Sequence, residues 1–427
     1  MNTIFLLILI LISVGFISDL VLDLLNIKHI KPDLPEAITG RYQQEAYGRS
    51  QSYLKEKSRF GVLVSVLGFL ALLVLFLGGT FAWLNNLVFS ITSSPVWAAL
   101  LFFGILGLAA DIAGIPFELY SVFVIEEKYG FNKTTPGTFI LDKLKSWLMA
   151  VVLGVPLLAL IIWLYTLTGK WFWLSAWVII ASFSILMSFF YSSLIVPLFN
   201  RQEPLEDGEL KVAIEEMSSR AGFRLDRIFV INGSKRSTKA NAYFAGFGKK
   251  RRIVLYDTLI HDLDIPEILG VLAHEIGHYK KKHVVATMVL SVLQTGILLF
   301  LFSLVAGNPA LSQALNISEP SFHISVLVFG ILYSPVSMVT GLLFNVLSRK
   351  FEYQADAFAS GMGYSRELGD ALISLSEKNL SNLTPHPAYV FVHYSHPPLL
   401  DRLRNLIKVS IVIPVEAGTV KAGTFPH

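Results

Sequence analysis

Residues 271–283 read Val271-Leu272-Ala273-His274-Glu275-Ile276-Gly277-His278-Tyr279-Lys280-Lys281-Lys282-His283. On a helix, positions i and i+4 lie on one face a single turn apart, so the imidazoles of His274 and His278 can converge on one small cation. Glu275, next to the first histidine, is placed to act as a base on a water at that cation and not to bind it. So short a pattern arises by chance, and its flanks must support it. They do. Asp264, Pro266 and Glu267 read as an N-cap, a first-turn proline and a capping-box acid, so a helix is expected to begin there and run through the motif.

Composition sets the surroundings. The chain has 427 residues, of which 53% are hydrophobic and 15% charged, and a mean hydropathy of +0.59. Soluble domains carry about a quarter charged residues, so this balance belongs to a membrane protein. With no cysteine, disulfides, thiolate-bound zinc and thiol catalysis are excluded, and any metal must be held by histidines and carboxylates. The net charge of +4 is modest, and no basic tract interleaved with aromatics suggests nucleic acid.

The stretch from Ile4 to Ile17 is apolar, lacks a basic n-region and a small-residue cleavage site, and is expected to be a retained span. Six more runs can cross about 30 Å of hydrocarbon: Val62–Trp83, Val96–Leu119, Trp147–Thr166, Phe172–Leu198, Val284–Ala306 and His323–Leu347. Basic residues alternate between the loops that join them. The first loop carries Lys28, Lys31, Arg41, Arg49, Lys55, Lys57 and Arg59, and the third carries Lys128, Lys133, Lys143 and Lys145. The second loop and residues 307–322 carry none, and the fourth has only Lys170. The positive-inside rule then places the N-terminus outside and the polar segments 199–283 and 348–427 in the cytosol. Asp111 and Glu118, within the third run, are costly in lipid and should face water or a partner.

Segment 199–283 has the pattern of a small α+β unit. Asp207 is expected to cap a helix through Arg220, with Leu210, Ile214 and Met217 on its apolar face and Gly222 past its end. Strand-like runs succeed it at Ile228–Ile231, Ala242–Phe247 and Ile253–Tyr256, with Gly246, Gly248 and Lys249–Arg252 as the turn between the last two.

A catalytic zinc needs a third protein ligand and an open position. Spans six and seven form a hairpin that leaves the cytosolic face just after His278 and returns near Ser348. The segment beyond Ser348 contains Glu352 and Asp356, one turn apart on one helical face. Glu352 is the candidate third ligand, and Asp356 the candidate acceptor for the second N–H of a ligating histidine. His261 and His283 read as peripheral histidines near the membrane surface. Among His386, His393 and His396, composition cannot choose.

Taken together, these features give a sequence that resembles the integral-membrane zinc metallopeptidases of the CaaX-protease type, the Ste24 family of gluzincins. The likeness extends over Ile125–Thr135, Pro197–Asn200, Gly233–Ser237, Asn241–Phe244, Gly246–Lys249, Arg252–Leu259 and Ser395–Pro398. The resemblance implies seven helices enclosing a water-filled chamber beneath a cytosolic cap, with one zinc ion per chain. It implies that substrate lies as an added strand along Asn241, Ala242, Tyr243 and Phe244. His396, before the proline pair, is implied as the residue that stabilises the oxyanion. Where the family shows Ser-His-Ser-Asn-Ala, this chain has Ser237-Thr238-Lys239-Ala240-Asn241, which bears on how the substrate strand is seated. The segment Glu126–Lys133 reads either as a solvated loop or as a contact that seals the chamber or docks the cap.

The reading is a mainly α, polytopic membrane protein whose small α+β cap carries a zinc metalloendopeptidase site. Its divisions are expected at 1–198 (five spans), 199–283 (catalytic segment), 284–347 (two spans), 348–416 (third ligand and C-terminal part) and a tail at 417–427. Glu275 is expected as general base, and peptides or proteins as substrates. The resemblance suggests removal of the last three residues from prenylated Cys-a-a-X proteins. A protease that clears non-prenylated membrane proteins is the first alternative, and a channel or transporter with a regulatory metal site is the second. The tail shows no retrieval signal, which points to a bacterial cytoplasmic membrane with the site facing the cytosol.

Overall fold

A computed structural model describes residues 2–223, 225, 227–245 and 252–412. Among these, six helices are long and apolar enough to cross a bilayer: Thr3–Lys28, Gln44–Leu77, Pro95–Glu126, Pro136–Thr168, Phe172–Phe199 and His283–Val305. A pair bent by 55°, Phe322–Leu332 and Ser334–Gly361, completes a seventh when counted as one span. Pro335, at the start of its second half, cannot donate to the preceding turn, which accounts for the break. In the first span only 6% of the most apolar window is buried inside the protein, so most of its hydrocarbon faces outward, as lipid requires. The chain is a mainly helical polytopic membrane protein.

The acids Asp111 and Glu118 within the third span find a partner, as their cost in lipid demands. Lys143 Nζ lies 2.9 Å from Asp111 Oδ1 and 2.8 Å from Glu118 Oε2, and Trp147 Nε1 donates to Asp111 Oδ2 at 2.8 Å.

Between the fifth and sixth spans the chain builds a four-stranded sheet in the order β1-β2-β4-β3. Its strands are β1 (Gln202–Pro204), β2 (Arg227–Ile231), β3 (Ala242–Ala245) and β4 (Arg252–Tyr256). The short β1 has no strand-like pattern in its sequence. Strands β2 and β4 run parallel, β3 pairs antiparallel with β4, and among the described residues the far side of β3 is a free edge. Helix α1 (Glu209–Arg220) begins one residue later than expected: Gly208 is its N-cap, and Asp207 pairs with Lys211 Nζ at 2.6 Å instead. The expected turn at 246–251 and the tail at 417–427 lie outside the described residues.

Three more helices complete the unit: α2 (Ile265–Lys280), α3 (Ser334–Gly361) and α4 (Ser365–Lys378), with α5 (Leu399–Val412) laid across them. Ile214, Ile228, Ile253, Leu272, Ile276 and Leu368 share one buried core drawn from α1, the sheet, α2 and α4. Close approach of the helices depends on two glycines of α2. A Cβ on Gly270 would meet Leu368 N of α4 at 2.6 Å, and one on Gly277 would meet Ala355 Cα of α3 at 3.0 Å.

The loop after span three grips this unit. Asn132 forms a β-bridge to Ser237, Thr238 N donates to Phe131 O at 3.1 Å, and Lys239 Nζ lies 2.9 Å from Glu126 Oε2. Of the two readings of Glu126–Lys133, the docking contact is the one found.

Candidate active site

Helix α2 starts where its sequence says it should. Asp264 and Glu267 form the reciprocal capping box, with Asp264 N donating to Glu267 Oε2 at 3.0 Å. Glu267 Oε1 also accepts from Ser374 Oγ of α4 at 3.1 Å, tying the helix start to its neighbour. Two and a half turns on, His274 and His278 face α3, and Glu352 faces them from it. Nε2 of His274 and Nε2 of His278 lie 3.1 Å apart. Glu352 places Oε2 3.4 Å from His274 Nε2 and Oε1 3.3 Å from His278 Nε2. The three side chains thus bring one ligand atom each within 4.8 Å of one another.

This arrangement fits a metal on three counts. His274 Nδ1 lies 2.8 Å from Asp356 Oδ1, and a carboxylate only accepts, so the proton is on Nδ1 and Nε2 presents a lone pair. Second, Glu352 Oε2 is buried with no hydrogen-bond partner among the described residues. Third, Glu275, Glu352 and Asp356 stand against the single guanidinium of Arg402, leaving two negative charges that a divalent cation would balance. Two imidazoles and a carboxylate with an open position are the donor set of a catalytic zinc.

Asp356 is completely buried, and Arg402 of α5 clamps it, with Nη2 2.6 Å from Oδ1 and Nε 3.0 Å from Oδ2. Arg402 Nη2 also lies 3.2 Å from His274 Nδ1; both groups reach for the same Asp356 oxygen, which is the nearer partner of each. No sequence motif marks Arg402. It lies beside the apolar stripe of Leu399, Leu403 and Leu406, and a charge bordering the buried face of an amphipathic helix was the available signal.

Glu275 is half-buried beside the ligands. Desolvation pushes its carboxyl above the ordinary glutamate range, partly opposed by the adjacent His274 and His278. A raised carboxylate is a better proton acceptor, as a general base requires. His396 reaches the same place from the other side, with Nε2 3.3 Å from Glu352 Oε1 and Nδ1 2.9 Å from Ser395 Oγ, while much of its ring stays exposed. His386 instead caps the short helix Pro387–His393, and His393 Nε2 is 3.9 Å from Asp19 Oδ1 of the first span.

Asn241 to Phe244 run along the free edge of the sheet, where β3 packs against α2. Asn241 O accepts from Tyr256 N at 3.1 Å, so by antiparallel alternation Ala242 and Phe244 turn their backbone groups away from β4. In this structure the outward N–H of Ala242 donates to the Asn241 side-chain oxygen at 2.8 Å. His261 is exposed, as expected for a peripheral residue. His283 departs from that expectation. It is 3% exposed, because the chain reverses at Lys282, which has φ +59°, and turns the ring back under His278.

Comparison with known proteins decides the family. Residues 23–201 match the profile described as the CAAX prenyl protease N-terminal, five membrane helices, and residues 204–410 match peptidase family M48. A CAAX prenyl protease 1 homolog of Arabidopsis thaliana is 36% identical over 406 residues, covering 92% of this chain and 95% of its own. CAAX prenyl protease 1 of Saccharomyces cerevisiae is 36% identical over 403 residues, with 88% and 89% covered. The chain belongs to the CAAX prenyl protease 1 family. The human member, a CAAX prenyl protease 1 homolog, is 32% identical with 88% of each chain covered. The crystal structure of S. mikatae Ste24p superposes with a TM-score of 0.90 at 33% identity, over 95% of this chain and 99% of that one. As a member of the CAAX prenyl protease 1 family this chain is a membrane-embedded M48 metallopeptidase that hydrolyses peptide bonds, which sets aside the channel or transporter reading.

Proposed function

We propose that this chain binds one zinc ion per molecule and removes the C-terminal three residues from prenylated Cys-a-a-X proteins. The observation that carries the reading is the convergence of His274, His278 and Glu352 beside a free sheet edge, in a chain related over almost its whole length to CAAX prenyl proteases. His274, His278 and Glu352 would hold the metal, and Asp356, clamped by Arg402, would fix the tautomer and ring plane of His274. When bound, zinc supplies a Lewis acid that polarises the scissile carbonyl and acidifies water.

The chain's own residues do the rest. Substrate pairs with the outward backbone groups of Ala242 and Phe244, a strand added to β3, with Asn241 and Tyr243 flanking it. Asn241 surrenders its bond to Ala242 N when the strand arrives. Glu275 takes the proton of the attacking water and returns it to the leaving amine. His396 donates from Nε2 to the oxyanion that develops on the carbonyl. The seven spans would enclose a chamber in which this takes place, with the catalytic side toward the cytosol in agreement with the basic loops.

Matched farnesylated and plain peptides, assayed with and without a zinc chelator in proteoliposomes, test the reading. Chelator-sensitive cleavage three residues from the end, preferring the farnesylated peptide, is the expected result. Equal cleavage of plain membrane-protein segments would replace the CaaX substrate with a quality-control role. Cleavage indifferent to the chelator would remove the metal from the scheme.

A further inference from the structure

His283 lies five residues beyond the metal motif and opens the sixth span, its ring stacked on Phe351 with centroids 4.1 Å apart and planes at 9°. Both ring nitrogens are engaged. Nδ1 lies 3.1 Å from His278 Nδ1, and Nε2 lies 2.8 Å from Gln354 Oε1. The direction of each bond is dictated by the site. His278 turns Nε2 toward Glu352 and His274, so a cation held there takes that lone pair and the proton of the neutral ring stays on Nδ1. An Nδ1 that carries hydrogen must donate, so His283 Nδ1 accepts and is bare. The neutral ring of His283 then carries its hydrogen on Nε2, which donates to the carbonyl oxygen of Gln354. Reversing any link would set two hydrogens or two lone pairs face to face in a buried contact.

We propose that His283, backed by Gln354, is a positioning residue that fixes the ring plane and tautomer of His278 and so presents its Nε2 to the metal. The inference rests on the ligand set given above. It gives the two metal-binding histidines different supports: a carboxylate behind His274 and a neutral histidine–amide pair behind His278. The difference has an electrostatic reason. A second carboxylate in place of His283 would leave the buried site with one negative charge more than a divalent cation balances. Gln354 sits two residues beyond Glu352 on α3, so that helix both supplies a ligand and braces the one opposite. The left-handed backbone at Lys282 turns span six back so that its first residue lies under His278.

The test is zinc affinity of the full-length protein in detergent, measured by competition with a chromophoric chelator, alongside melting temperature. His283→Phe preserves an aromatic ring against Phe351 but removes both hydrogen bonds. Gln354→Leu removes only the last acceptor, and Gln354→Glu restores one. Loss of such a support weakens metal binding by roughly 10- to 100-fold, and that is expected for His283→Phe and Gln354→Leu, with Gln354→Glu, which keeps the acceptor at the cost of an added charge, binding zinc clearly more tightly than Gln354→Leu. A packing role alone would lower the melting temperature without this split between Leu and Glu. Parental affinity in Gln354→Leu overturns the proposal, even if His283→Phe fails to fold. Should the parent hold no zinc, or hold it undiminished in Glu352→Ala, the ligand set itself is wrong, an outcome distinct from failure of the His283 assignment.

Discussion

A Cβ placed on Gly277 would stand 3.0 Å from the Cα of Ala355, closer than real Cβ contacts ordinarily come. Gly277 lies inside the metal motif, and Ala355 lies between Glu352 and Asp356 on α3. The backbone contact between these two residues sets how near the two histidines come to Glu352, the proposed third ligand. Gly277→Ala should therefore push α3 outward by a few tenths of an ångström, at about 1–3 kcal/mol for overpacking. A lowered melting temperature together with weaker zinc retention is the expected outcome. Full retention of both would show that the interface has slack.

Glu275→Gln removes the proposed proton acceptor while conserving shape. Cleavage should fall by about 10²–10⁴-fold, the usual contribution of general acid–base catalysis, with zinc content unchanged by elemental analysis. Near-parental turnover would reassign the base.

Because its desolvated carboxyl titrates above the ordinary glutamate range, Glu275 also bears on pH. It acts as a base only when ionised, so activity should fall as pH drops through that raised range. An acid limb of kcat/KM lying wholly below the ordinary glutamate value of 4.5 would contradict this environment.

Ala242→Pro removes an N–H that points away from β4, so the sheet keeps its own ladder. Peptide binding should lose one hydrogen bond, worth about 0.5–1.5 kcal/mol. That corresponds to kcat/KM down by roughly 2- to 13-fold, with zinc content unaffected. An unchanged kcat/KM in a folded variant would mean that substrate does not join this edge.

Lys143 is the one cation that Asp111 and Glu118 share among the described residues. Lys143→Met leaves two carboxylates facing each other near the membrane, and the melting temperature in detergent should fall. The double variant Lys143→Met with Asp111→Asn should recover part of the loss, since an unpaired charge and not a missing bond is then the cause. No recovery would refute that account.

The spans were legible because a continuous apolar run of this length has no other stable destination, and the capping box at Asp264 and Glu267 fixed the start of α2. Glu352 could be found because the hairpin of spans six and seven brings its helix back to His278. What escaped carried no motif. Arg402 owes its place to α5 crossing α3, and its partner Asp356 is 46 residues away. His283 looked peripheral because three candidate ligands were already in hand, and only the left-handed turn at Lys282 carries it inward. The parallel pairing of β2 with β4 likewise depends on which strands the chain skips, and alternation within a strand does not record that.

The hairpin that separates His274 from Asp356, 82 residues further on, also has a bearing on biosynthesis. A chain emerging from the ribosome carries His274, Glu275 and His278 well before Glu352 exists. Glu352 arrives only after two more passages through the bilayer. On the proposed ligand set, the site would be complete only once both passages are made, and a fragment truncated anywhere ahead of residue 352 would lack it.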